Sequence, residues 1–198
     1  RVENRLEEMY QRHLSQFDDE VEAYYTPGLG YYKPMAPDPD FDRFSIALAT
    51  LDGEVHTVGD DDWQFALQSI SKVFSYARAL EIHGRERVLS RVGVEPSGDD
   101  FNSISLVFDE RRNRPYNPMV NAGALVTTDL IRSGNADADI AGVLEILGKF
   151  SGNDSLAVDE EIFARELETA DRNRALSYLM RSFGMIGPDV EENLALYL

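Results

Sequence analysis

The sequence predicts an α/β protein of the α+β kind, in which a short β-hairpin precedes a mostly helical body. Two apolar runs, FSIALAT and VHTVG, flank the Asp52-Gly53 pair, and this pair favours a tight turn between antiparallel strands. From Ile70 onward the apolar residues recur every three to four positions, which is the spacing of one helix face. We therefore expect a hairpin at about residues 44–59 and a helical body at about residues 69–198, together forming one domain.

The remaining elements follow from the same periodicities and from the turn residues between them. Helical spacing in residues 3–17 predicts an opening helix, and the four prolines and two glycines in residues 24–41 predict a long loop. Gly, Asn, Asp and Pro signals divide the helical body into predicted helices at 70–82, 120–131, 140–150, 160–168, 172–183 and 189–198.

Two features of this pattern suggest a longer protein. An isolated two-stranded hairpin is only marginally stable in water, and it normally gains further strands or a helical layer. The last predicted helix also runs to residue 198 without a capping signal. We expect the chain to be truncated at its C-terminus, with the strands that complete the sheet missing.

Composition excludes several classes of function. Thirty-six acidic residues against 19 basic ones give a formal net charge of -17, which repels phosphate, so we expect no nucleic-acid and no membrane partner. No apolar run approaches the ~20 residues that span a bilayer, and the first residues lack the apolar core of a secretory signal, so we expect a cytoplasmic protein. Cysteine is absent, and His13, His56 and His83 lack metal-ligand spacing, so we expect no metal site.

The segment WQFALQSISKVF, residues 63–74, places Ser69 and Lys72 three residues apart at a predicted helix start. Residues at this spacing lie on one face of a helix, so the hydroxyl and the amine can meet. A neutral lysine can take the serine proton and so activate a nucleophile. The positive end of the helix and burial would both lower the lysine pKa, and the apolar neighbours expected to bury it are Phe65, Leu67, Val73 and Phe74.

Two interpretations of Ser69 and Lys72 remain open at this point, because Ser-x-x-Lys also arises by chance. In the first, the pair catalyses acyl transfer, and the backbone N–H of Ser69 stabilises the oxyanion. A position after a hairpin and at a helix start matches the serine enzymes of the penicillin-binding and β-lactamase class. In the second, Ser69 caps the helix and Lys72 extends along its surface, as in a non-catalytic helical interaction domain.

Five blocks distributed along the chain carry a family resemblance. In order they are YTPGL at 25–29, QSISKVF at 68–74, VGVEPSGDDFNS at 92–103, NPMVNAGALV at 117–126 and FARELETADRN at 163–173. Together they resemble the serine-dependent glutaminases, which hydrolyse L-glutamine to L-glutamate and ammonia and share a β-lactamase-like fold. The resemblance covers nearly the whole chain after the opening helix and implies that residues 1–198 belong to a single glutaminase domain.

The resemblance also implies individual roles. Ser69 matches the nucleophile and Lys72 its base, while Tyr25 matches a tyrosine near the nucleophile and the substrate, which implies a catalytic role. Family members need no cofactor and no metal, and they commonly form dimers or tetramers, so a homo-oligomer is expected. The positions that match glutamine contacts are Ser69, Asn121, Glu166, Asn173 and Tyr197.

Without the resemblance, these same residues favour structural roles. Asn121 and Asn173 lie near predicted helix starts, where asparagine commonly caps. Glu166 lies among other glutamates, which is typical of a solvated helix face. Tyr197 falls at the apolar spacing of a core position.

A β-lactamase-like hydrolase of other specificity is the alternative within the enzyme class. It would need Ser-Asp-Asn and Lys-Thr-Gly elements, and neither is present in this sequence. The glutaminase family places a second active-site tyrosine and a Lys-Ser-Gly-like strand in its C-terminal part. We expect both in the missing portion.

Overall fold

The protein is described here from a computed structural model, which describes residues 2–14, 43–96, 98, 108–109 and 114–198. The chain divides into two compact units, Arg1–Ala66 and Leu67–Leu198. The predicted loop at 24–41, the YTPGL block with Tyr25, and part of the block at 92–103 lie outside the described residues.

The first unit contains one helix and one hairpin. Helix α1 spans Val2–Leu14, and strands β1, Ser45–Ala49, and β2, Val55–Gly59, pair antiparallel. Gly53 has φ +90°, and its N–H donates to the Thr50 carbonyl at 3.0 Å, so the Asp52-Gly53 pair forms the turn as predicted.

Helix α1 packs on the hairpin through an aromatic contact. The Tyr10 ring stacks on Phe44 with the ring centroids 5.3 Å apart. A side chain at Gly59 would overlap both the Tyr10 ring and the Phe44 carbonyl, so this strand end requires glycine. The close approach explains how a single short helix can cover a two-stranded sheet.

The second unit is mostly helical. A 3₁₀ turn at Gln68–Ile70 leads into the first of its helices. The two-residue strands β3, Phe108–Asp109, and β4, Arg114–Pro115, pair antiparallel. The helices are α2 Ser71–Arg91, α3 Asn121–Ile131, α4 Ala136–Ser151, α5 Glu160–Thr169, α6 Asp171–Ser182 and α7 Val190–Tyr197.

Two details of the second unit differ from the sequence prediction. Helix α2 continues well past Ile82, because the chain resumes the helix after a break at Gly84, where φ is 71° and ψ is 165°. The predicted end at Ile82 lies beside this break, since glycine interrupts the helix there, but the second segment, which runs to Arg91, was not predicted. The β3–β4 pair was not predicted, since two-residue strands are too short to show an alternating pattern.

Helix α3 is the centre of the second unit. All of its residues except Ala122 and Asp129 are buried, and it packs against α2, α6 and α7. Its Leu125 and Val126 belong to an apolar core shared with α2, α6 and α7. A helix that is buried on nearly every side is typical of a protein interior, so the N-terminus of α3 is a firmly held position.

Among the described residues, none of the helices combines the length and the apolar character needed to cross a membrane.

Candidate active site

The turn before α2 places Ser69 at the exposed head of that helix. Gln68, Ser69 and Ile70 form the 3₁₀ turn, and Ser69 is solvent-exposed. The α-helix itself begins at Ser71, and its capping position is Ile70, without a side-chain cap. The structure therefore contradicts the capping role for Ser69 and leaves its hydroxyl on the surface.

Lys72 lies one turn further along and points into the protein. It is 3% exposed and falls on the buried stripe of α2, seven residues before the fully buried Ala79. Its Nζ donates to Asn121 Oδ1 at 2.6 Å. A buried ammonium does not extend along the helix surface, so the second interpretation of this lysine was also wrong.

Burial lowers the pKa of Lys72 from 10.5 to about 8, because the charged form loses its hydration. The predicted direction is confirmed, but two of the predicted neighbours do not produce it: Phe65 is 71% exposed and Val73 is 53% exposed. The lysine instead turns towards α3, where it meets Asn121. Local apolar sequence was thus a misleading guide to which groups bury the amine.

Asn121 connects the lysine to a third helix. It is the first residue of α3 and makes no cap hydrogen bond with its side chain. Its Nδ2 donates to Asn173 Oδ1 on α6 at 3.0 Å. Lys72, Asn121 and Asn173 therefore form a hydrogen-bonded row across α2, α3 and α6, and neither asparagine side chain is spent on capping.

Glu166 is brought beside the same turn from α5. Its Oε1 accepts a hydrogen bond of 2.5 Å from Gln68 Nε2. Burial raises the pKa of the Glu166 carboxyl, while the Gln68 amide opposes this by favouring the ionised form. The neighbouring glutamates favoured a solvated helix face for Glu166. That expectation was wrong, because Glu166 is half-buried.

Of the two tyrosines in the predicted site, the structure describes only Tyr197. Tyr197, the last residue of α7, is partly buried and packs against the apolar core, as its spacing predicted. Tyr25 lies outside the described residues. The structure thus links Lys72, Asn121 and Asn173 by hydrogen bonds, brings Glu166 to Gln68 directly beside Ser69, and leaves Tyr25 undescribed. The amide-lysine cluster below means the following residues: Ser69, Lys72, Asn121, Glu166 and Asn173.

Gln68 belongs with this cluster, and the sequence reasoning did not select it. It has φ +50°, the one positive φ among the non-glycine residues that the structure describes. The available signal was its place directly before Ser69 in a largely apolar segment. A polar side chain at this position does not contribute to an apolar core, which could have singled it out. The positive φ, however, cannot be seen in the sequence.

The polar groups of the cluster suit a small organic ligand with both charge signs. Within the described ranges, no group of three or more acidic or histidine side chains is arranged to hold a metal ion. The cluster instead combines a carboxylate, two amides and a lysine of lowered pKa, which are groups that bind carboxylates, amides and ammonium ions.

Comparison with known proteins identifies the family. Residues 29–198 match the sequence profile of the family described as Glutaminase. The chain belongs to the glutaminase family. It is 49% identical to the glutaminase of Trichormus variabilis over 177 residues, which cover 89% of this chain and 50% of that protein. The family resemblance read from the five sequence blocks is thereby confirmed.

Solved structures give the same family. The probable glutaminase of Bacillus subtilis is 36% identical with a TM-score of 0.74, and the match covers 94% of this chain and 58% of that one. Mglu in its glutamate form is 37% identical with a TM-score of 0.74, over 94% of this chain and 42% of that one. This glutaminase-family chain spans about half the length of the curated relatives it matches.

Proposed function

We propose that this protein is a glutaminase, which hydrolyses the side-chain amide of L-glutamine to L-glutamate and ammonia. The observation that carries the proposal is the placement of Lys72, buried and hydrogen-bonded to Asn121, one turn after an exposed Ser69. A lysine with a pKa of about 8 is a competent proton acceptor near neutral pH. Family membership and the crystal structure of Mglu in its glutamate form support the choice of substrate, since glutamate is the product.

In the proposed mechanism the serine is acylated first. Neutral Lys72 removes the Ser69 proton, and Oγ attacks the γ-carboxamide carbon of glutamine. The backbone N–H of Ser69 faces the developing oxyanion. The C–N bond then breaks, the departing nitrogen takes the proton held by Lys72, and ammonia leaves a γ-glutamyl ester on the serine.

Water completes the reaction by the reverse proton transfer. Lys72 accepts a proton from water, the hydroxide oxygen attacks the ester carbon, and the proton returns to Ser69 Oγ as glutamate departs. Tyr25 matches the family tyrosine near the nucleophile, and its part in orienting Ser69 or in passing a proton to the amine stays a prediction.

The remaining residues of the cluster bind the amino acid. Glu166 attracts the α-ammonium, and the hydrogen bond from Gln68 favours the ionised carboxylate that this role needs. Asn121 and Asn173 offer amide groups to the carboxylate and side-chain amide of the substrate. Tyr197 matches a further glutamine contact. Since the binding charge is local, the net negative charge of the protein does not oppose it.

The fold class, the domain organisation, the oligomeric state and the location of the protein are part of this proposal. A hairpin followed by a mostly helical body is compatible with a β-lactamase or penicillin-binding-like serine acyl-transferase fold, in which the chain is one glutaminase domain. A homo-oligomer, dimer or tetramer, and a cytoplasmic location also stay predictions. Size-exclusion chromatography with light scattering tests the oligomer.

Replacement of the nucleophile tests the reaction. Ser69→Ala in the full chain should abolish ammonia release from L-glutamine, because loss of a catalytic serine removes the covalent route and costs on the order of a millionfold in a serine hydrolase. Ser90→Ala is the matched control: Ser90 is exposed near the other end of α2, its hydroxyl donates to the Arg87 carbonyl at 2.7 Å, and activity should be retained. Near wild-type ammonia release by Ser69→Ala would refute the assignment.

Replacement of the carboxylate tests substrate binding. Glu166→Gln should raise KM for glutamine on the order of thirtyfold or more, since the substrate ammonium is then buried without its counter-charge. Glu168→Gln, on the same helix but exposed, is the control and should leave KM unchanged. An unchanged KM in Glu166→Gln would remove the ammonium-binding role.

A further inference from the structure

Gln68 has a left-handed backbone that the mechanism above does not use, and its hydrogen bond to Glu166 enters that mechanism only through the charge of the carboxylate. We propose that Gln68 is a positioning residue, whose side chain orients the Glu166 carboxylate and whose backbone presents the neighbouring Ser69. This inference rests on the proposed function, because it concerns how the nucleophile and the ammonium-binding carboxylate are held relative to each other.

The side chain of Gln68 provides the first argument. Its Nε2 donates to Glu166 Oε1 at 2.5 Å across 98 residues of sequence. A glutamate has several rotatable bonds, and a hydrogen bond from a fixed amide selects one position for its charge. Because the donor is the residue directly before Ser69, the hydrogen bond fixes the position of the Glu166 carboxylate relative to the nucleophile and not only relative to its own helix.

The backbone of Gln68 provides the second argument. A φ of +50° is unfavourable for a non-glycine residue, whereas glycine would adopt it freely. The contacts that hold the turn include Ile70 N–H to the Leu67 carbonyl at 3.0 Å, Ser71 Oγ to the Gln68 carbonyl at 2.7 Å, and the Ser71 backbone N–H to the same carbonyl. A glutamine at a position better suited to glycine indicates that its side chain is needed there.

The burial of Glu166 explains why this donor matters. Burial pushes the carboxyl towards its neutral form, and the Gln68 amide acts in the opposite direction. Loss of the amide therefore removes charge as well as orientation from the group that meets the ammonium. The pKa of Glu166 should rise further when Gln68 is shortened, and should rise more when a carboxylate replaces the amide.

Three substitutions separate the side chain from the backbone. Gln68→Gly removes the amide and adopts the positive φ without strain. Gln68→Ala removes the amide while its side chain still disfavours the positive φ, and Gln68→Glu places a second carboxylate against Glu166. Gln68→Gly should fold at least as stably as the wild type, because glycine accepts this conformation. Thermal melting of each variant checks this before kinetics are compared.

The kinetic test compares L-glutamine with glutaramate, the same amide without an α-amino group. In Gln68→Gly the KM for L-glutamine should rise about tenfold with kcat little changed, as expected for a lost hydrogen bond to a charged group. The KM for glutaramate should not change, since it offers Glu166 no ammonium. Gln68→Ala should show the same KM rise and a lower kcat, because its turn relaxes away from the strained φ.

A second measurement does not depend on activity. The Glu166 carboxyl is titrated by ¹³C NMR, with its signal assigned by difference against Glu166→Gln. An upward shift in Gln68→Gly that grows in Gln68→Glu supports the proposal. Absence of ammonia release by the complete wild-type protein would refute the glutaminase function while leaving this titration valid.

Specific outcomes overturn the positioning role. An unchanged Glu166 titration in Gln68→Gly and Gln68→Glu means that the amide does not act on the carboxylate. Equal KM changes for L-glutamine and glutaramate mean that Gln68 supports the fold and not the ammonium site. A kcat in Gln68→Ala equal to that in Gln68→Gly means that the backbone conformation does not present Ser69.

Discussion

Raising the pH through 8 should deprotonate Lys72 and so convert the proposed base to its reactive neutral form. With a pKa of about 8, Lys72 is neutral in about 9% of molecules at pH 7, against about 0.03% for a lysine of pKa 10.5. Burial therefore supplies about 300 times more of the reactive form. Between pH 7 and pH 9 the neutral fraction rises about tenfold, so the rate of serine acylation should rise about tenfold and then level off.

The lowered pKa of Lys72 also makes the stability of the protein depend on pH. Between pH 8 and pH 10.5 the unfolded chain binds a proton at Lys72 that the folded chain has released, so the free energy of unfolding rises with pH across this window. Below pH 8 the buried ammonium costs about 3 kcal/mol relative to an exposed lysine. A base that is useful near neutral pH is therefore one that the fold tolerates at a cost.

Lysine ¹³Cε NMR measures the shift directly, because the sequence has lysine only at positions 33, 72 and 149. Lys72→Met assigns the signal by its loss. Lys149 is the internal control, since the hydrogen bond and charge of Glu145 raise its pKa, and its signal should titrate at a clearly higher pH than that of Lys72. The kinetic counterpart is kcat/KM for glutamine followed from pH 6 to pH 10.

Two results would refute the reasoning. Titration of Lys72 at or above 10 would show that burial does not keep the amine neutral. Titration near 8 with a flat pH–rate profile between pH 7 and pH 9 would show that the neutral amine exists but is not the base.

Two further predictions concern the scaffold around the site. Asn193 is 1% exposed and donates to the Leu125 carbonyl at 3.1 Å, while its Oδ1 has no partner. Asn193→Leu should therefore be neutral or stabilising, whereas Asn193→Asp should lower the free energy of unfolding, measured in urea, by about 2 kcal/mol or more. Equal effects of the two substitutions would contradict this. A side chain at Gly123 would overlap the Asn117 carbonyl, whereas one at Gly142, within α4, meets only a flexible guanidinium. Gly123→Ala should therefore lower the melting temperature markedly and Gly142→Ala should raise it or leave it unchanged, and the reverse order would contradict the packing.

Local features of the fold were accessible from the sequence because their causes are local. The Asp52-Gly53 turn needs a positive φ that glycine supplies, and the helical spacing after Ile70 reflects one buried face per helix. The mostly helical body with a small antiparallel sheet was therefore predicted correctly. The break at Gly84 lies close to the predicted end of the first helical segment, but the helical segment that follows it was not predicted, because a glycine signal does not show that a helix resumes after the break.

The site was less accessible, because its contacts join distant parts of the chain. Nothing in the spacing of Lys72 and Asn121, or of Gln68 and Glu166, indicates that they meet. Lys72 was selected by its spacing from Ser69, whereas only the family resemblance brought Asn121 and Glu166 into the predicted site. Local reasoning assigned Asn121 to capping, since the sequence does not show that its side chain is taken up by a buried lysine. Gln68 was missed altogether because backbone strain has no compositional signature.

The burial of α3 on nearly every side also bears on how this protein can evolve. Its residues from Gly123 to Ile131 have almost no freedom to change without disturbing the packing, apart from Asp129. In a deep mutational scan this segment should accept the fewest substitutions in the second unit, even at positions several turns from Asn121. New specificity would then have to arise on α5 and α6, whose surfaces are more open, with the Asn121 end of α3 as the fixed reference point.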